Sequence, residues 1–368
     1  MKWMLNVMTS LIEQQFCVYL YDQLVGRLHR RGDMTRFVFE PDYWQLPDRP
    51  LLGLRFEENR YARHQSNMRL PVWFSNLLPE GRLREWIANA GNTSLAREME
   101  LLAQVGHDLP GAVRVIATDK IVPVDLADVQ ALNPINPQIN SGLWRFSLAG
   151  VGLKFSLLAS GDRLVLPAFG EGGDWIVKLP DSAYPDLPWN EWAMMTLAQR
   201  VGIEVPEVRL IQREQVDALQ ERAWQGTQGW AYAVKRFDRG AQRELIHIED
   251  LAQVRGFWPE QKYAGSYETV AALLYRGRDT EALHEFVRRL AFNILIGNGD
   301  AHLKNWSLIY KHHGVPTLAP AYDLVATFVY SPACEGQEPL ALSFGGSKRF
   351  DDMRLTLFSH LDKKLNAQ

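Results

Sequence analysis

One apolar helix that runs straight into a polar loop constrains this chain most. Between Glu281 and Leu295, apolar residues fall at Leu283, Phe286, Val287, Leu290, Ala291 and Ile294. That is the spacing of one continuous helical face. Gly297 breaks the pattern, and the chain continues as Gly299-Asp300-Ala301-His302-Leu303-Lys304-Asn305. A helix with a buried stripe holds its own end firmly. Polar groups delivered there are both fixed and exposed. Trp306–Tyr310 and Thr317–Ala319 then read as a strand pair around His312-His313-Gly314, and Tyr322-Asp323 follows directly.

Asp300, Asn305 five residues on, and Asp323 carry the spacing of a phosphotransferase site. The first carboxylate would accept a hydroxyl proton or orient the attacking oxygen. The Asn305 amide oxygen and the Asp323 carboxylate would hold magnesium against ATP phosphates. Lys304 is placed to neutralise phosphate charge and His302 to brace the loop. Taken singly, each has a plainer reading, as a polar loop with an Asx turn or as a turn aspartate. Their meaning comes from the set.

Two further elements suit phosphate. Lys178 stands on the apolar strand Trp175-Ile176-Val177-Lys178, with Glu191 on the next helix as a partner. A snorkelling edge-strand lysine is the competing reading. Ser147-Leu148-Ala149-Gly150-Val151-Gly152-Leu153-Lys154 is a glycine loop whose N–H groups can approach phosphate, or a plain turn between strands.

The rest of the chain is read in pieces. Residues 1–120 form a small mixed unit, with a hairpin of Phe16–Tyr21 and Leu24–Leu28 about Asp22-Gln23. Thr35–Glu40 and Leu51–Glu57 are further strands. A helix over Leu95–Val105 is capped from Asn92-Thr93-Ser94 and stopped by Gly106. Residues 121–142, rich in Pro, Asn, Asp and Gln, are a linker. Residues 143–235 read as strands Trp144–Leu148, Leu153–Leu158, Trp175–Leu179 and Trp230–Val234. A helix from Asn190 buries Met194, Leu197, Ala198 and Val201, and Gly202 ends it. Residues 236–368 are mainly helical. Strands first and helices second, with a crossing near Lys235-Arg236-Phe237, give an α+β chain of two lobes with a cleft between them.

Composition narrows the classes. The 40 basic and 43 acidic residues leave a net charge of −3, so no global basic field points to nucleic acid. Cys17 and Cys334 are too few for a disulfide framework or a zinc site, as expected in a reducing cytoplasm. Asn6 and Glu13 interrupt the N-terminal apolar run, so no signal peptide is expected, and no run reaches membrane-helix length.

Together these residues resemble the HipA family of bacterial serine/threonine kinases, the toxin half of toxin–antitoxin pairs. The resemblance covers nearly the whole chain. Leu78-Pro79-Glu80-Gly81 with Arg84, and Leu101 to Val113 with Gly106, His107, Asp108, Gly111 and Ala112, look like that family's N-terminal subdomain. Ser147 to Lys154 looks like its phosphate loop, and Trp175 to Pro180 with Asn190-Glu191 like its ATP-lysine strand and following helix. Arg236-Phe237-Asp238-Arg239 matches its hinge, and Asn298 to Ser307 with Tyr322-Asp323 its catalytic and metal motifs. Leu340 to Gly346 resembles a late motif near the site.

The resemblance implies a two-lobed protein-kinase-like fold with an extra N-terminal mixed subdomain and a mainly helical C-terminal lobe. It implies ATP and Mg²⁺ as cofactors. Asp300 would be catalytic, Asn305 and Asp323 would bind metal, and Lys178 with Ser147, Gly150, Gly152 and Lys154 would hold phosphates. Arg236 and Phe237 would serve the adenine hinge. It further implies a translation component such as an aminoacyl-tRNA synthetase as substrate, self-phosphorylation on Ser147, and a helix-turn-helix antitoxin that recruits the chain to operator DNA. Two other readings remain: a phosphotransferase with a small acceptor, and a nucleotide-binding regulator at DNA with little turnover.

Overall fold

The structure, a computed structural model, describes residues 13–118, 153–167, 171–216, 224, 228–312, 314–330 and 339–367. The linker at 121–142, the strand read at Trp144–Leu148, and Ser147, Gly150 and Gly152 lie outside them.

The first unit is built on an antiparallel sheet of β1 (Glu13–Leu20), β2 (Gln23–Arg31), β3 (Met34–Phe39), β4 (His64–Asn67) and β5 (Val113–Thr118), in the order β4-β3-β2-β1-β5. The expected hairpin is present, with Tyr21 in the left-handed region at φ 54°. Four helices cover the sheet: α1 (Leu54–Glu58), α2 (Val72–Ser75), α3 (Gly81–Ala90) and α4 (Glu98–Val105). Two expectations fail here. Leu51–Glu57 was expected as a strand, but its second half coils into α1. The Leu54 N–H donates to the Glu249 carboxylate, and Phe56 is buried among Phe37, Trp73 and Phe74. The later helix begins at Glu98 rather than Leu95. The Glu98 carboxylate is fully buried and takes the Leu70 N–H and the Ser75 hydroxyl, which fixes where the helix starts.

The second unit is another five-stranded antiparallel sheet. It comprises β6 (Lys154–Ser160), β7 (Arg163–Val165), β8 (Trp175–Lys178), β9 (Val208–Gln212) and β10 (Trp230–Lys235), in the order β7-β6-β8-β10-β9. Helix α5 (Leu187–Arg200) joins β8 to β9. Its buried face matches the one read from the sequence only at Ala198 and, partly buried, at Met194. Glu191, Met195 and Ala198 point inward, while Leu197 and Val201 are 41% and 52% exposed. The face was set by a carboxylate that has a partner inside.

The third unit holds β11 (His247–Asp250), α6 (Leu251–Arg255), α7 (Tyr267–Tyr275), α8 (Thr280–Leu295), β12 (Ser307–His312), β13 (Val315–Leu318) and α9 (Leu355–Leu365). Helix α8 matches the apolar stripe, and the Asp279 side chain caps it by accepting the Ala282 N–H at 2.9 Å. The expected strand pair is β12 and β13, extended by β11 into a three-stranded sheet.

Three apolar cores tie the units together. One runs from the first sheet into the second, from Phe16 and Trp73 to Phe155 and Val177. Another fills the third unit around Phe286 and Leu290. The third joins Met195, Ala198, Tyr232 and Val234 to Phe292, Ile296, Ala321 and Leu324. It seats α5 and β10 on the C-terminal end of α8, beside the polar loop. Among the described residues no helix is long and apolar enough to cross a membrane.

Candidate active site

Strand β8 alternates. Trp175 and Val177 are buried in the first core, so Ile176 and Lys178 share the opposite face, where Ile176 packs into the third core. The Lys178 ammonium meets Glu191 Oε1 there at 2.5 Å and also pairs with Asp323 Oδ1. Burial works against its charge, but the Asp323 and Glu191 carboxylates hold it above the usual lysine range. Glu191 is pushed up to about 7 by burial and by the nearby Asp323 carboxylate, against the pull of Lys178. Burial also disfavours the Asp323 charge, yet Lys178 and Lys154 hold it well below the usual carboxylate range.

Asp323 sits in the left-handed region at φ 55°, which costs a non-glycine residue of order 1–3 kcal/mol. The segment before it is pinned. The Ala319 carbonyl accepts from Arg289, the Ala321 N–H reaches Glu204 O, and the Tyr322 hydroxyl donates to Lys304 O at 2.8 Å.

The polar loop is cross-braced. Gly297 turns the chain at φ 64°, where a Cβ would fall 2.7 Å from Phe328. The Asp300 N–H donates to Asn298 Oδ1, and the Asn305 amide donates to Asp300 O, both at 2.9 Å. The Tyr263 hydroxyl donates to Asp300 Oδ1 at 2.6 Å. With its NH₂ engaged, Asn305 has an amide oxygen left to offer. Asn298, Asn305, Tyr322 and Asp323 line one small pocket. A carboxylate and an amide oxygen are hard donors, and two of them suit a Mg²⁺ ion that takes its remaining ligands from phosphate and water. Among the described residues no cluster of three or more His, Cys, Asp or Glu could hold a metal by itself.

The other expected site residues divide. Lys154 is buried on β6 directly across from Lys178, and burial lowers its pKa. The Phe237 ring lies 5.6 Å from that of Tyr322. His302 is buried beside Asp300, and burial with Lys262 pushes it down to about 3, so it stays uncharged at neutral pH. Two assignments are corrected. Lys304 does not face the phosphate pocket: its ammonium is buried and donates to Asn76 O at 2.8 Å and to Asp250 at 2.9 Å. The Arg236 side chain is no nucleotide ligand, because its guanidinium is fully buried against Asp108, Asp238 and Ser156. The sequence reading gave no role to Tyr263 or Lys262 and did not see Glu80 reach this region. They lie on irregular backbone with no periodicity to mark them.

Family models agree with this architecture. The model of the HipA N-terminal domain matches residues 16–116, and that of the HipA-like C-terminal domain matches residues 146–367. This chain belongs to the HipA family. A Sinorhizobium fredii relative named "Putative kinase Y4dM" is 42% identical over 357 residues, covering 94% of this chain and 85% of that one. The serine/threonine-protein kinase toxin HipA of Shewanella oneidensis is 29% identical over 358 residues, covering 85% of this chain and 75% of that one. The solved HipA chain of Shewanella oneidensis MR-1, in complex with HipB and operator DNA, superposes with a TM-score of 0.70 at 22% identity. That match covers 96% of this chain and 85% of the other, and establishes the shared HipA fold of mixed sheets and helices.

Proposed function

We propose that this HipA-family chain is an ATP- and Mg²⁺-dependent serine/threonine protein kinase of the growth-arrest toxin type. The observation that carries the reading is the Lys178 ammonium held between Glu191 and Asp323, beside a braced loop that presents Asp300 and Asn305. Lys178, with Lys154 next to it, steadies the ATP phosphates. Phe237 lines the adenine side. Asn305 and Asp323 would hold Mg²⁺, which neutralises charge on the phosphates when bound. The acceptor hydroxyl gives its proton to Asp300 as its oxygen bonds the terminal phosphorus. The bond from that phosphorus to ADP then breaks.

By family resemblance the acceptor is a cytoplasmic translation component such as an aminoacyl-tRNA synthetase. A helix-turn-helix antitoxin would restrain the kinase and link it to operator DNA, as the HipB and DNA of the Shewanella complex suggest by analogy. Self-phosphorylation of Ser147 belongs to the same reading. A phosphoserine there adds about −1.5 to −2 charge to a loop meant for phosphate and switches the enzyme off.

Phosphoproteomics after brief expression, wild type against Asp300→Gln, is the test. Protein phosphosites that appear only with the wild type are expected, Ser147 among them. Transfer from labelled ATP to metabolites but to no protein would point to a small acceptor. Growth arrest untouched by Asp300→Gln would point to a regulator without turnover.

A further inference from the structure

The residues Lys262 and Tyr263 lie across the catalytic loop and touch it at three points. The Leu303 N–H donates to Lys262 O at 3.1 Å. The Tyr263 ring meets His302 edge-on at 5.0 Å. The Tyr263 hydroxyl reaches Asp300 Oδ1 at 2.6 Å, although the residue as a whole is 43% exposed. This clasp is anchored from the N-terminal unit. Glu80 Oε2 accepts from the Lys262 ammonium at 2.7 Å, and Glu80 Oε1 lies 3.7 Å from that of Lys304. Asn76 completes the grip by accepting from Lys304 and donating to Phe257 O. The loop that carries Asp300 is thus held at Asp300 by Tyr263, 37 residues away in sequence, and at Lys304 by Asn76, 228 residues away.

We infer that Tyr263 is a positioning residue for the Asp300 carboxylate, and that the N-terminal unit keeps it there through Glu80 and Lys262. The inference rests on the kinase reading above. A phenol that donates to one carboxylate oxygen fixes the rotation of that group. A proton acceptor left free to rotate loses alignment with the acceptor hydroxyl. Among the described residues no hydrogen bond or ion pair joins Glu80, Lys262 or Tyr263 to Lys178, Glu191 or Asp323, so the clasp governs transfer rather than nucleotide binding. It also makes the N-terminal unit a working part of the catalytic loop.

The test uses the full chain with Tyr263→Phe, which keeps the ring on His302 and removes only the hydroxyl. Glu80→Gln serves as the second variant. For Tyr263→Phe, kcat should fall about tenfold while KM for ATP stays within about twofold, the pattern of an interaction used only in transfer. Glu80→Gln should lower kcat less, again without moving KM for ATP. Amide hydrogen exchange over residues 299–305 should quicken in both. Wild-type kcat with unchanged exchange in Tyr263→Phe overturns the inference. If the wild type transfers phosphate to no acceptor, the kinase reading fails instead. The exchange result then decides the clasp by itself: faster exchange supports it and unchanged exchange overturns it.

Discussion

Two of the buried ionic clusters among the described residues behave in opposite ways. At the hinge, Arg236 and Arg239 face Asp108 and Asp238. Arg236 donates to both carboxylates, to Ser156 and to Leu109 O, and Arg239 adds bonds to Gly111 O and Leu109 O. Gly111 closes the cluster by giving its N–H to Asp238 at 2.7 Å. It holds φ +75°, and a Cβ there would sit 2.8 Å from Ile248 N. In the cleft, one ammonium is shared by two carboxylates, and a second lysine lies beside it. The forks of arginine satisfy each partner by direction, whereas lysine is a point charge that two acids compete for. The hinge is satisfied and closed. The cleft is crowded and keeps one carboxyl, Glu191, near 7. Such crowding is what marks a site built to exchange partners.

The largest effect should come from breaking the closed cluster. Asp108→Ala leaves two buried guanidinium groups short of a counter-ion, and removal of one partner of a buried pair costs about 3–5 kcal/mol. Urea unfolding should show that loss, and a neutral result would mean the cluster is not the lock it resembles. Lys178→Met should act on chemistry instead. Phosphoryl transfer should fall about 10²–10³-fold, the scale of losing one charge-stabilising donor. The fold should suffer less than in Asp108→Ala, because Glu191 can take up a proton when its cation goes. The Arg236 and Arg239 guanidinium groups that Asp108→Ala strands have no such escape, because arginine keeps its charge. Unfolding of Lys178→Met at mild urea would erase the distinction.

How much of this was legible in the sequence follows from distance along the chain. Asp300 and Asn305 stood out because an apolar helix leads straight to them, and Lys178 with Glu191 because a strand and the next helix are neighbours. Those are local signals. Arg236 was misread because its motif adjoins Phe237, while the partner that defines it, Asp108, stands 128 residues earlier. Lys304 failed for the same reason, with Asn76 228 residues away. The face of α5 was misjudged at Leu197 and Val201, which apolar count favours, whereas Glu191 turns inward to Lys178. Leu51–Glu57 is too short for a period to decide between strand and helix.

The contrast extends to pH. Glu191 has a folded pKa near 7, above its ordinary 4.5. Its contribution to stability is complete below 4.5 and is lost as pH rises through 7. Asp108 and Asp238 are depressed, so their contribution is present above about 3.8 and is lost only as pH falls through their folded values. Between pH 6 and 8 the hinge is therefore silent and the cleft titrates. Glu191→Gln should flatten the fall in unfolding free energy over that range by up to about 1.4 kcal/mol per pH unit. Glu249, buried under Tyr310 and Trp73 and also pushed up to about 7, contributes the same slope to both proteins and cancels. An unchanged slope would mean Glu191 is already ionised at pH 6.

The smallest effect should come one residue from the hinge cluster. The Lys235 side chain is 47% exposed, against 0% for Arg236, and its ammonium lies 4.0 Å from an exposed Glu207 carboxylate. Exposed pairs of this kind are worth about 0–1 kcal/mol and are screened by salt. Lys235→Glu replaces a weak attraction with a weak repulsion in high dielectric. Lys235 ends β10 with its side chain exposed, whereas the Arg236 guanidinium just beyond the strand is buried, so the new charge does not enter the Arg236 network. Stability should change by no more than about 0.5 kcal/mol, and by less in high salt. A loss as large as that of Asp108→Ala would show that the hinge responds to charge through the strand itself. The closed cluster would then be as sensitive to its surroundings as the open one.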